Sequence, residues 1–167
     1  MSFTVDMTQP LTETTLIYRA GDYAFDSDPH PADCAYAIGV NEVELMMNDE
    51  DDRGEYRVVF VMGYCPYFGW QSTKLEPPHA HRGVLYYIAE GGILVPGITL
   101  GVTSLESRWP VFADLEGGWV CLGPHETQGM AVEFAPGCVA ILRENELVAL
   151  WLHPRELPEE VRKLSPV

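Results

Sequence analysis

The sequence predicts a mainly β fold: an antiparallel sandwich or small barrel of about nine or ten strands with a short C-terminal helix. Three observations carry this. Apolar and polar residues alternate in short runs, which is the period of a strand. Gly, Pro, Asn and Asp clusters recur at short spacing, as turns between strands require. Only one segment, near the C-terminus, carries the end signals of a helix.

In chain order, residues 1–13 are polar and read as a loosely held terminus. Leu16, Ile17 and Tyr18 make a first strand. Residues 21–33, GDYAFDSDPHPAD, hold four aspartates and two prolines and read as a loop. Residues 34–47 read as strand, with Tyr36, Ile38 and Val40 on one parity and Val43, Leu45 and Met47 on the other. That switch of face predicts a bulge or bend near Gly39 to Asn41. The polar stretch 48–55 is a hairpin tip, and Tyr56, Val58, Phe60, Met62 and Tyr64 alternate in the strand that follows.

Residues 65–83 are rich in aromatics, Pro and Gly and read as a long loop, with a short strand within 70–75. Strands follow at 84–89, at 93–95 after a turn at Gly91 and Gly92, and at 98–103. Segments 111–115 and 119–122 flank Glu116-Gly117-Gly118 as a hairpin. Strands at 131–134, 138–142 and 147–152 complete the set. The last two are apolar on both parities, so they lie deep in the core or have one face covered by a partner. Pro158 opens the helix, with Glu159 and Glu160 in its first turn and Arg162 and Lys163 in its last, the order the helix dipole favours.

The length of 167 residues is that of one domain, and no repeat or linker divides it, so residues 1–167 are expected to form a single β-rich unit. The apolar fraction is 47%, and no run is long enough for a membrane helix. No secretory signal is read at the N-terminus, so the cytoplasm is the expected location. The net charge of −15 repels nucleic-acid phosphate and anionic lipid, and favours a basic partner in principle. Cys34, Cys65, Cys121 and Cys138 form no CxxC pair, and Cys121 and Cys138 read as buried small hydrophobes.

Two constellations can carry chemistry. The first is His79-Ala80-His81, because alternate strand positions point the same way and can place two imidazoles on one zinc or iron. His125, Glu90 or Cys121 would have to complete the shell. The stretch PPHAHRGVLYYIAEGG resembles the first motif of the cupins, small metal-binding β-barrels, and the resemblance implies a metal at His79 and His81. The glutamate of that motif falls at Leu85 or Tyr86, and the proline-to-histidine spacing at Pro124 and His125 departs from the second motif. The chain is therefore not assigned to that family, and the plainer reading is two histidines in a proline-rich surface loop. The acids Asp22, Asp26, Asp28 and Asp33 lack calcium-loop spacing and read as a solvated loop.

The second constellation is aromatic: Tyr64, Tyr67, Phe68 and Trp70, which can stack a ligand or anchor a partner, or simply fill the core beneath a loop. Nucleophile and nucleotide-binding motifs are absent from the sequence. The resulting expectation is a non-enzymatic acidic binding protein. It would engage a basic protein or a small molecule at Tyr64, Tyr67, Phe68 and Trp70 and require no cofactor. The alternative is a small barrel with a ligand or metal site at His79, His81 and His125.

Overall fold

The computed structural model describes residues 1–31, 34–49, 54–90, 94–126 and 128–164. Its strands are β1 (Ser2–Asp6), β2 (Thr15–Arg19), β3 (Ala24–Asp28), β4 (Tyr36–Val40), β5 (Val43–Asp49), β6 (Glu55–Tyr64), β7 (Gln71–Ser72), β8 (His81–Arg82), β9 (Val84–Ile88), β10 (Thr99–Gly101), β11 (Val111–Asp114), β12 (Trp119–Leu122), β13 (Met130–Ala135), β14 (Cys138–Arg143) and β15 (Glu146–Leu152). One short helix, α1 (Glu159–Arg162), follows. The fold is mainly β, two sheets that curl as a half-barrel. The first sheet runs β1-β9-β6-β5-β4-β10, with β3 joined to β6 and β2 to β3. The second runs β7-β11-β12-β15-β14-β13-β8. The strands outnumber the expected set because β1 and β3 form where the sequence predicts a loose terminus and a loop, the run 34–47 divides into β4 and β5, and β8 forms in the proline-rich segment; β7, β8 and β10 have only two or three residues each. Those three make the parallel pairings, and the longer strands pair antiparallel.

Sequence pattern accounts for most elements. β14 and β15 turn through Glu144 and Asn145, both at positive φ, as a two-residue hairpin loop requires. β11 and β12 pair from Val111–Leu122 to Asp114–Trp119, and the Asp114 carboxylate accepts the Gly117 amide at 2.8 Å to tighten the turn. In α1 the acids and the arginine lie at the ends the dipole favours.

Three local readings change. The face switch near Asn41 is a full hairpin reversal rather than a bulge: Val40 pairs with Val43, and Asn41 adopts φ 53°, which asparagine tolerates. Residues 24–28 are a strand, because Phe25 and Ser27 alternate inward beneath the aspartates. The N-terminal stretch is not loose throughout. β1 pairs with β9 over its whole length, Phe3 is fully buried, and its amide donates to the Asn145 carbonyl at 2.8 Å, tying the first sheet to a turn of the second. Asp33, the tip residues 50–53, and Gly91, Gly92 and Ile93 lie outside the described residues.

A bulge sits instead in β6. Met46 pairs with Phe60 and Met47 with Val58, so Val59 is the extra residue. One extra residue inverts every later side chain. Tyr56 and Val58 therefore face the intersheet core together with Val61, while Phe60 leaves it to stack on His30, ring centres 5.1 Å apart. Two residues on, next to the last residue of β6, Gly63 has φ 135° and a Cβ there would run into the Glu42 carbonyl oxygen. Only glycine fits there.

The second sheet has two buried faces. Its inner face, with Val120, Leu122, Phe134, Ala140, Leu150 and Leu152, packs against the first sheet. On its outer face Cys121, Val139, Ile141, Ala149 and Trp151 form a separate cluster, and what covers them is the chain itself. Residues 73–80 leave β7 at one edge of the sheet and reach β8 at the other, laying Leu75 and Ala80 on the cluster. The span is six interstrand steps, roughly 29 Å at ~4.8 Å each. Nine residue steps from Ser72 to His81 reach at most about 32 Å. The strap must therefore run almost fully extended, a conformation that Pro77 and Pro78 favour.

Candidate functional site

The aromatic residues gather at one mouth of the intersheet space, where β6 ends and the chain crosses toward β7. Cys65 anchors the crossing. Its amide donates to the Tyr23 carbonyl at 2.7 Å, and its carbonyl accepts the Tyr18 hydroxyl at 2.7 Å. Its sulfur accepts the Trp70 indole N–H at 3.3 Å. Burial pushes this thiol up to about 11, so it stays protonated at neutral pH and serves as an anchor rather than a nucleophile.

From that anchor the rings form a continuous stack out of the core. Tyr18 meets Phe25 and Trp70, each at 4.9 Å between ring centres, and Trp70 also lies parallel to Phe25 at 6.1 Å. Farther out, Tyr67, Phe68 and Tyr23 form a triangle with centres 5.5 to 6.0 Å apart. Exposure rises along the stack. Trp70 and Tyr67 are half-buried, whereas Tyr23, Tyr64 and Phe68 are 39%, 48% and 66% exposed. Tyr23 and Phe68 both lie at short 3-10 turns, each closed by a backbone hydrogen bond, so their presentation is fixed by the backbone.

The rim of the mouth is built on the β4–β5 turn. The Asn41 side chain clasps Trp109 in both directions: its amide donates to the Trp109 carbonyl at 3.0 Å, and its oxygen accepts the Trp109 amide at 3.0 Å. Beside it Arg108 forks onto Glu42, Nη1 to Oε1 and Nη2 to Oε2, the latter at 2.7 Å. The arginine's hydrogen bonds hold the Glu42 carboxyl below its ordinary range. A cleft of about 420 Å³ opens next to the stack, between Tyr67, Phe68 and Trp70 on one side and Ala113 and Leu115 of the second sheet on the other. An adjoining wider cleft shares Ser72, Leu115 and Leu164 with it and adds Lys74, Asp114, Glu116 and Arg162.

Tyr67, Phe68 and Trp70 are therefore brought to one place, with Tyr67 and Trp70 half-buried and Phe68 presented, and Tyr64 stands exposed beside them, sharing a small cavity with Trp70. Tyr23 belongs with them and was missed, because its neighbours Asp22 and Asp26 made the segment read as a polar loop. The bulge at Val59 signalled its consequence only through the structure: it is what leaves Tyr64 outside the core.

The histidines lie elsewhere and apart in role. His79 and His81 are exposed on either side of Ala80, which packs on the sheet. His125 sets its ring edge-on to Phe112, centres 4.6 Å apart. Among the described residues no three His, Cys, Asp or Glu side chains form a group that could hold a metal ion, so these three histidines make no such site together. Among the described residues no helix is long and apolar enough to cross a membrane. No protein-family model matches the chain, and no curated protein matches it either.

Proposed function

We propose that this chain is a non-enzymatic binding protein that uses the aromatic mouth to engage a basic protein partner. The observation that carries the reading is the exposure of Phe68, 66%, on a 3-10 turn where its ring packs edge-on against Tyr23 and Tyr67. A large aromatic left in water on a fixed turn costs apolar hydration in the free protein and gives it back on contact. Rings presented in this way need little further ordering on binding, which favours affinity. The net charge of −15 supplies the second half of the reading, since it draws a cationic surface toward the protein at long range.

The test is binding of a panel of purified basic proteins to the immobilised chain at low and at physiological salt. At least one is expected to bind, with affinity that falls as salt rises. Phe68→Ala is expected to weaken that binding about tenfold, as loss of a central aromatic anchor does. A panel with no binder at low salt, or a binder indifferent to Phe68→Ala, rejects the proposal.

A further inference from the structure

We propose that the cleft beside the aromatic stack is a small-molecule site for an organic carboxylate with a planar apolar body, the body lying against Tyr67, Phe68 and Trp70 and the carboxylate held by Lys74 and Arg162. This site shares Phe68 with the protein-partner surface proposed above but reaches inward to Trp70 and Gln71, and it is tested with small molecules alone.

The volume of about 420 Å³ is that of a small-ligand site. Its walls divide by chemistry. Three aromatic rings and Leu115, Ala113 and Leu164 make an apolar end, and Gln71 and Ser72 on the edge strand β7 make a polar one. Past Ser72 the wider cleft continues with Lys74 and Arg162, two of only ten Lys and Arg residues in the chain. Lys74 has no ion-pair partner among the described residues. Arg162 reaches Glu156 only at 4.0 Å.

The acids on the same wall do not offset them equally. Asp114 is committed to backbone amides, accepting from Leu75 at 3.2 Å, Glu116 at 3.2 Å and Gly117 at 2.8 Å. That leaves Glu116 as the acid of the cleft whose carboxylate has no hydrogen-bond or ion-pair partner among the described residues, against two cations. The protein's overall charge opposes an anion at long range, so recognition has to come from contact with these two side chains after the ring has seated.

The experiment is an amide and indole NMR titration of the full chain with naphthaleneacetate and with the uncharged naphthylethanol. The Trp70 indole and Gln71 side-chain signals are expected to shift saturably with both, and naphthaleneacetate is expected to bind about tenfold tighter, the worth of one charge-assisted contact. Lys74→Gln should bring the two affinities together, Lys74→Arg should keep them apart, and Phe68→Ala should weaken both ligands alike. Equal affinity of the two ligands for the unaltered protein, or a titration that leaves Trp70 and Gln71 unmoved, overturns the proposal.

Discussion

Residues 64–70 and residues 73–80 are neighbours in one proline- and aromatic-rich stretch, yet they do opposite things with apolar side chains. The strap 73–80 turns Leu75 and Ala80 down onto an apolar sheet face and buries it, leaving Leu75 only 4% exposed. The aromatic loop leaves Phe68 and Tyr64 exposed to solvent, with Tyr67 packed edge-on against Phe68 and Trp70 against Tyr18. Where the fold needed cover, the chain supplied its own. The same chain thus leaves Phe68 open within a few residues of a strap that buries Leu75, and this contrast is what directs the proposed binding role to the mouth.

The comparison breaks most visibly through stability. Leu75→Ala removes the principal side chain of the strap from the outer cluster and is expected to cost about 2–4 kcal/mol, read as a lower urea midpoint at unchanged slope. Phe68→Ala is expected to change the same midpoint by no more than about 0.5 kcal/mol. Equal losses for the two substitutions would mean that Phe68 is a structural residue and that the two segments do the same work. Cys121 offers a sharper reading of the strap alone. It lies in the outer cluster, fully buried, with its thiol pushed up to about 12 by burial. Its alkylation should be slow in the folded protein and faster in Leu75→Ala. Unchanged protection would show that the strap is not what closes this face.

The next effect concerns the mouth. If it is a built site, its rim must be fixed, and the Asn41 clasp on Trp109 is the part that fixes it. Asn41→Ala removes both hydrogen bonds and places alanine at φ 53°, so a loss of about 1–3 kcal/mol is expected. Asn41→Gly keeps the turn and loses only the clasp. It should lie between the two in stability, and hydrogen exchange should quicken at the Trp109 amide. Exchange that stays slow there would mean that the rim is held by something else.

How far the sequence discloses all this depends on distance along the chain. The hairpins at 111–122 and 138–152 are local, and their turn residues and alternation suffice to read them. The strap is not local: nothing in PPHAHR says which surface lies beneath it. The clue was on the surface instead, in β14 and β15, whose apolar residues on both parities demanded a second cover. The β6 bulge defeats parity counting because the extra residue, Val59, is as apolar as its neighbours, so Phe60, Met62 and Tyr64 read as continuing inward. The aromatic cluster was legible as a set of residue types, and its direction was not. Histidine spacing was legible too, but spacing fixes only that His79 and His81 avoid the face Ala80 takes, and a metal needs a third ligand that chain folding has to deliver.

The smallest effect tests whether the rim is a fixed frame or a switch. Arg108 depresses the Glu42 carboxyl in the folded state, so this pair stabilises the protein above the unfolded carboxyl range near pH 4 and is lost as pH falls through the lower folded value. Both partners are well exposed, which limits the pair to no more than about 1 kcal/mol. In acid titrations of stability, Glu42→Gln should therefore track the unaltered protein closely, differing only by this small loss between neutral and acidic pH. Trp70 lines the small cavity against Glu42 and Arg108, so its fluorescence reports whether the rim moves. An emission unchanged down to the onset of global unfolding fits a mouth framed by Asn41 and the backbone. An acid-induced exposure of Trp70 that Glu42→Gln already shows at neutral pH would instead make the ion pair the latch. The mouth, unlike the strap, would then open on protonation.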